Sequence, residues 1–252
     1  MEDILQLICV AWVVVAAGTY VLLQFVTAPF GRHTASGWGP VLDNKLGWCL
    51  MELPSLLLIT ASAIREYSSG SSSYASVLYA LWILHYTNRS IVYPLRIKAT
   101  PKPMPALVAL CAFGFNLVNA GLNGASLLRD AAVYDATWLF QPRTILGLAL
   151  FFCGMSINWV SDEMLIRLRK PGETGYKIPH GFLFEYVSCP NHLGECIEWV
   201  GFALMAGNLA ASTFAIWTLS NLVPRAASHH AWYKAQFKDY PLKRQAIIPF
   251  LY

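Results

Sequence analysis

Four polar residues set in apolar surroundings carry the first chemical signal: Asn158 with Asp162, and Asn191 with Glu195. Each pair is four residues apart, so within a helix its two members share a face. Between the pairs lie Arg167, Arg169, Lys170 and Tyr176, in a stretch, Gly154–Trp199, that begins inside one apolar run and ends inside another, with Glu198 near its end. Groups of this kind are costly beside lipid unless they serve a ligand or one another. Two amide-plus-carboxylate pairs separated by a basic loop read as a cradle for a large polar ligand held partly at membrane depth, and a nucleotide cofactor fits that description.

The amino-terminal half holds a second group. Glu52 stands alone among Leu, Met and Trp in WCLMELPSLLL, where an ionised carboxylate is expensive, so it is expected to be protonated, paired or both. In LHYTNRSIVY, Tyr86, Arg89 and Tyr93 are spaced by three and four residues and line one helical face beside His85. An interfacial aromatic belt suits Tyr74 and Tyr79, whereas the polar neighbours of Tyr86 turn it toward the bundle interior. Asn116, Asn119 and Asn123 repeat at similar spacing, and interhelical hydrogen bonds and ligand contacts explain them equally well. Near the carboxy terminus Arg225, His229, Tyr233 and Lys234 recur at helical spacing, which suits phosphate contacts or an amphipathic tail lying on anionic lipid. His229 and His230 have no third ligand at a fitting spacing, so no metal is expected.

These residues must be positioned by membrane helices. Of the 252 residues 56% are hydrophobic and only 13% charged, with mean hydropathy +0.46; a soluble domain carries about 25% charged residues. The chain is therefore read as all-α, a multi-pass integral membrane protein forming a single domain over residues 1–252. Nucleic acid is not an expected partner, and no obligate protein partner is inferred. No GxGxxG follows a strand and no GxxxxGK[ST] occurs, so a bound dinucleotide would sit outside a Rossmann fold. The six cysteines are scattered without a CxxC and read as free thiols.

Apolar runs fall near residues 4–26, 46–64, 74–97, 105–128, 144–166 and 193–223. The first follows Glu2 and Asp3, is too long for a signal-peptide core and reads as a retained span. The last would reach about 46 Å as one helix against about 30 Å of bilayer core, and Gly207-Asn208 divides it. Seven transmembrane helices follow. With the amino terminus outside and the carboxy terminus cytosolic, fourteen of the 18 Lys and Arg residues lie inside and only Arg65, Arg129 and Arg143 outside, the expected positive-inside bias. The loop Arg167–Asn191, punctuated by Pro171-Gly172 and Pro179, is expected to be a structured cap and not a continuing helix.

The chain resembles the steroid 5α-reductases, membrane enzymes also called 3-oxo-5α-steroid 4-dehydrogenases. APFGRHT with GWGP, MELPS, HYTNRSIVYPLR, GMSINWVSD, RLRKPGETGYKIP, SCPNHLGECIEW and KDYPLKRQAIIPF match family segments in order along nearly the whole length. The resemblance implies a seven-span helical bundle, NADPH as cofactor and a 3-oxo-Δ4 steroid as substrate. Residues 1–128 would then build mainly the steroid pocket and residues 144–252 mainly the NADPH site. It places the substrate-polarising pair on Glu52 and Tyr86, with Trp48 lying along the bound ligands. It places cofactor contacts on Arg89, Asn158, Asp162, Arg169, Tyr176, Asn191, Glu195, Arg225, His229, Tyr233 and Arg244. Met51 departs from the Gln usual in animal members, and the strings SCPN and SNLVPRA look more like the plant enzymes, which leaves the natural steroid open.

The implied chemistry is conjugate reduction. An enone accepts hydride at its β-carbon when donors stabilise the charge that develops on its carbonyl oxygen, and the Tyr86 hydroxyl and a neutral Glu52 can both donate. Hydride would reach C5 and a proton, drawn from solvent, C4. The host membrane would be the endoplasmic reticulum in a eukaryote or the inner membrane in a bacterium. Two other readings use the same composition: a membrane methyltransferase of the isoprenylcysteine type using S-adenosylmethionine, and a non-enzymatic sterol-binding membrane protein.

Overall fold

Proline and glycine place most of the helix boundaries. The computed structural model describes residues 2–35, 37–70, 73–97, 103–168, 173 and 175–252. Helix α1 covers Glu2–Phe25, and α2, Asn44–Ser68, starts at Asp43, whose carboxylate accepts from the Lys45 and Leu46 amides at 3.0 Å. Helix α3, Ser73–Thr87, passes into a π-helical turn over Asn88–Val92 and then a last short turn, α4, Tyr93–Arg96. Pro94 has no amide hydrogen to give back to the preceding turn, and the ladder there shifts by one residue, with the Tyr93 amide donating to the Asn88 carbonyl. Helix α5 is Ala106–Asp130, while α6, Pro142–Arg167, and α7, Pro190–Ala206, each carry proline in the first turn. Two short strands, β1 Val41–Leu42 and β2 Met104–Pro105, pair antiparallel and tie the start of α2 to the start of α5.

The final apolar run breaks where the sequence places the break. Gly207 takes a left-handed φ of +62° that closes α7, and the Asn208 side chain accepts from the Ala211 amide at 2.9 Å to open α8, Leu209–Gln236. Among the described residues four helices, α1, α2, α5 and α6, are long and apolar enough to cross a membrane. Helix α6 stops at Arg167, and the described part of the segment leading to α7 is irregular apart from a 3₁₀ turn at Phe182–Glu185. The carboxy-terminal tail folds back beneath it, with the Ser188 amide donating to Gln245 O at 2.8 Å and the Cys189 amide to Ala246 O at 3.1 Å.

Helices α6 and α7 pack backbone to backbone. A Cβ added at Gly194 would meet Asn158 N and Gly154 O at 2.5 Å, and one at Gly201 would meet Gly147 O and Phe151 N at 2.6 Å. Glycines on both helices thus permit a closer approach than any side chain would. Below the site, an aromatic core of Trp82, Trp199, Phe202, Phe151 and Phe214 joins α3, α6, α7 and α8. Tyr74 and Tyr79 belong to this core and not to an interfacial belt. Tyr74 is fully buried because its hydroxyl reaches Thr144 Oγ1 and Met205 O, both at 2.9 Å, and Tyr79 is 2% exposed. All six cysteines are free thiols, three of them buried.

Candidate functional site

A cavity of about 990 Å³ opens between α1, α2, α5, the α3 π-turn, the carboxy-terminal end of α6, the amino-terminal end of α7 and α8. That is the top of the ~300–1,000 Å³ range for small-molecule sites. Its two ends differ in chemistry.

The inner end is built on α2, α3 and α5. Glu52 lines it one helical turn after Trp48, and Tyr86 lines it from α3. The Asn116 amide of α5 donates to Glu52 Oε2 at 3.1 Å and to the Met51 carbonyl at 2.6 Å, fixing the carboxyl and its helix together. The Tyr86 ring is stacked on Trp82, with centroids 5.5 Å apart and planes 17° apart, and Trp82 Nε1 donates to Ser55 Oγ at 3.0 Å. A carboxyl and a phenol are thereby presented to one space by rings and hydrogen bonds that leave them little freedom. Asn116 lines the cavity, and both of its hydrogen bonds run between α5 and α2. Asn123 instead packs helices, donating to Asn119 O at 3.0 Å and Ala210 O at 3.4 Å.

At the middle stands Arg89, aimed by the π-turn. Its Nη1 lies 3.2 Å from Asp162 Oδ2 and its Nη2 3.8 Å from Glu195 Oε2, while its guanidinium covers the Trp48 ring at 4.7 Å and the Tyr93 ring at 5.3 Å. The Asn191 amide donates to Asp162 Oδ1 at 3.0 Å, and Asn158 donates to the Asn191 carbonyl at 3.0 Å. The two amide-plus-carboxylate pairs therefore meet across the glycine contact of α6 and α7. Asp162, Asn191 and Glu195 face the cavity; Asn158 stands behind and braces Asn191.

The outer end is aromatic and basic. Arg225, His229 and Tyr233, successive turns of α8, line it with Tyr176, whereas Lys234 points away and is exposed. Arg244 does not line the cavity. It is buried beside the tail, donating through Nη1 to Pro179 O at 3.2 Å with its guanidinium 5.0 Å from the Tyr240 ring, and its Nε and Nη2 have no partner among the described residues. Arg169 lies outside the described residues.

Residues that sequence reasoning did not single out complete this end. Arg32, in a 3₁₀ turn after Gly31, stacks over Tyr233 at 4.3 Å and Trp232 at 5.1 Å, and its Nη1 is buried without a hydrogen-bond partner among the described residues. His33 Nε2 meets His229 Nδ1 at 2.9 Å, and His192 lies beside His229 with centroids 5.6 Å apart. The basic pair in the short, glycine-punctuated segment APFGRHT was the available signal, but no spacing rule connects residue 32 to residue 233. Also unforeseen is a fully buried contact at 2.8 Å between His85 Nδ1 and Glu198 Oε1, behind the cavity wall.

The arrangement can hold an extended ligand that is apolar at one end and anionic at the other. The orphaned donor at Arg32 suits phosphate oxygens, as does the cation-rich outer end. Toward Glu52 the lining turns apolar, with Phe115, Phe214, Trp217 and the α1 residues Trp12 and Leu23.

The family model described as 3-oxo-5-alpha-steroid 4-dehydrogenase matches residues 102–252. The chain is 40% identical to the steroid 5-alpha-reductase of Gossypium hirsutum over 246 residues, 95% of this chain and 94% of the relative. It is 44% identical over 235 residues to 3-oxo-5-alpha-steroid 4-dehydrogenase 1 of Bos taurus, 92% and 91% of the two chains. Against the Homo sapiens protein of the same name the figure is 40% over 228 residues, 88% and 86%.

Proposed function

Because the chain belongs to the 3-oxo-5-alpha-steroid 4-dehydrogenase family, we propose that it is an NADPH-dependent oxidoreductase of a membrane, reducing the C4–C5 double bond of 3-oxo-Δ4 steroids to 5α-reduced 3-oxo steroids. One observation supports this most: a single cavity has an apolar end with Glu52 and Tyr86 exposed to it, and a charged end with Arg89, Asp162, Asn191, Arg225 and His229.

The steroid's 3-keto oxygen lies between Glu52 and Tyr86. Both act as hydrogen-bond donors, Tyr86 through its hydroxyl and Glu52 through a carboxyl that carries its proton in a water-poor site. Asn116 holds the Glu52 side chain against α5, so the donor is already oriented when charge develops on the oxygen. Bound NADPH supplies the hydride that reaches C5. Asp162, Asn191, Glu195 and Arg89 orient the polar body of the cofactor, with Asn158 keeping Asn191 in place. Arg225, His229, Tyr233 and Tyr176 receive its remote end, with Arg169 and Arg244 completing the set carried by the family resemblance. The aromatic lining around Trp48 and Tyr86 excludes water from the reacting carbons. The same reading takes the seven long helical segments as seven spans, with the basic ends of α6 and α8 on the cytosolic side where a water-soluble cofactor is available.

Purified protein in detergent with NADPH and a panel of 3-oxo-Δ4 steroids tests this directly. The expected result is NADPH oxidation matched one to one by loss of the enone absorbance, with 5α product. Steroid retention without any NADPH consumption would defeat the proposal.

A further inference from the structure

The helix that carries Tyr86 is poorly fixed by its own backbone. One residue after Tyr86, regular α bonding ends at Thr87, and the π-turn Asn88–Val92 takes over, followed by Pro94, which donates nothing. A helix with such an irregularity can rotate or slide at small cost unless something outside it holds it. Besides the neutral ties of Tyr74 to Thr144 and Met205 and of Trp82 to Ser55, two lateral contacts through charged or titratable groups flank Tyr86 on α3 and its extension. The first is Arg89 with Asp162 and Glu195, but all three line the cavity and are open to any charged ligand that enters. The second is His85 with Glu198. It sits one residue before Tyr86, at 2.8 Å, with side chains 2% and 0% exposed, and neither residue lines the cavity.

The His85 ring packs edge-on to Tyr86, centroids 5.0 Å apart at 64°, and to Trp199, centroids 4.7 Å apart at 65°. Glu198 in turn belongs to the least compliant part of the bundle, since a Cβ on Gly154 of α6 would collide with its backbone. The contact therefore ties the Tyr86 turn to the α6–α7 backbone unit by a route that a bound ligand does not touch. Glu198 Oε2 has no hydrogen-bond partner among the described residues. Retaining a half-satisfied carboxyl in so apolar a place is costly, and a well-packed apolar residue would serve stability at least as well. The carboxyl's use is then directional.

We propose that His85 and Glu198 are positioning residues for the reduction, holding the Tyr86 hydroxyl at the substrate oxygen by locking α3 against α7. The inference rests on the proposed enone reduction. Neither residue touches substrate or cofactor, so the effect of breaking the pair passes through Tyr86.

The test is a mutant cycle on purified enzyme, reading kcat, steroid KM and NADPH affinity. Glu198→Ala is expected to lower kcat roughly 10- to 100-fold, with NADPH affinity within about threefold of wild type. Glu198→Gln keeps an acceptor for His85 and is expected to recover kcat to within roughly fivefold of wild type. In a Tyr86→Phe background Glu198→Ala is expected to cost no more than about threefold further, because the hydroxyl it served is gone. An equal loss in both backgrounds, or a kcat loss accompanied by matching loss of NADPH affinity, overturns the proposal. A readout independent of activity uses 3-fluorotyrosine at position 86 in ligand-free protein. Its ¹⁹F resonance should shift or broaden with Glu198→Ala and return with Glu198→Gln, and an unmoved resonance overturns the proposal even if the enzyme's substrate is not an enone. Should Glu198→Ala not fold, His85→Gln in the two Tyr86 backgrounds carries the same comparison. A wild type that binds NADPH but reduces no enone condemns the functional reading alone.

Discussion

Helices α1 and α6 are both apolar, both long enough to cross a membrane, and both reach the same cavity, yet they are held in opposite ways. Helix α6 meets α7 through glycines with no side chain between the backbones, and 39% of its apolar window is buried in the protein. Helix α1 lies along α8 on the outside of the bundle with 11% buried, and its Leu7, Val14, Val21 and Phe25 face outward. In lipid no hydrophobic drive gathers helices, so rigidity comes from close backbone packing and polar contacts. The polar groups Asp162, Asn191 and Glu195 that face the cavity stand on the rigid pair. The peripheral helix contributes a mostly apolar wall, through Trp12, Leu22 and Leu23 beside Thr19, whose hydroxyl is turned back to the Val15 carbonyl.

The contrast breaks most sharply at glycine. Gly194→Val places a side chain against Asn158 N and Gly154 O, and neither backbone group can yield. Overpacking of this kind costs on the order of 3 kcal/mol, so the variant is expected to melt roughly 6–12 °C lower or fail to accumulate. Gly18→Ala on α1, with nothing within 4 Å of the new Cβ, is expected to hold or slightly raise the midpoint, since alanine favours helix by about 1 kcal/mol. Thermal melts of detergent-solubilised protein followed by size exclusion decide it. Equal midpoints for the two variants would mean that α6 and α7 are no tighter than α1.

That difference in packing is also the limit of what the sequence discloses. Helix positions and the break at Gly207-Asn208 were legible because proline, glycine and hydropathy act locally. So was the convergence of Asn158, Asp162, Asn191 and Glu195, since i,i+4 spacing puts each pair on one face and the short distance between the runs brings the faces together. Tyr74 and Tyr79 were misplaced because a tyrosine at a lipid interface and one in an aromatic core look alike until partners such as Thr144 and the Met205 carbonyl are known. Arg32 and the His85 contact to Glu198 needed tertiary proximity, with 113 residues separating the latter pair. The membership in a reductase family came from seven ordered strings, which carry more information than any single spacing.

Glu52 stands where the two regions meet, on α2 and facing both the apolar wall and Arg89's end of the cavity. Glu52→Ala and Tyr86→Phe each remove a donor aimed at the developing charge, and loss of one such donor costs about 10²–10³ in turnover. NADPH affinity should stay near wild type for Glu52→Ala, because Glu52 is on α2, which carries none of the proposed cofactor residues. Near-wild-type turnover in either variant, measured as NADPH oxidation with saturating steroid, would remove that residue from the reaction.

On the rigid pair, Asn191→Ala takes away the donor to Asp162 and leaves that carboxylate with Arg89 alone. A hydrogen bond to a charged group is worth about 1.5–3 kcal/mol, so the NADPH constant is expected to rise roughly tenfold or more, with the steroid constant little changed. A turnover defect with NADPH affinity intact would separate Asn191 from the nucleotide.

The smallest expected effect lies on α1, and it sharpens the comparison because it should reverse the pattern. Leu23 lines the cavity from a helix that carries none of the proposed cofactor residues. Leu23→Ala removes part of an apolar wall that a steroid would cover, and because the side chain is already largely shielded the further burial by ligand is a fraction of the full burial energy of about 1.5–3 kcal/mol. The steroid KM should rise roughly three- to fivefold while kcat and the NADPH constant stay put, the signature of lost uniform binding. If Leu23→Ala instead weakened NADPH as much as Asn191→Ala does, α1 would be as much a part of the cofactor site as the glycine-packed pair. The division of labour between a rigid polar wall and a lipid-side apolar one would then be false.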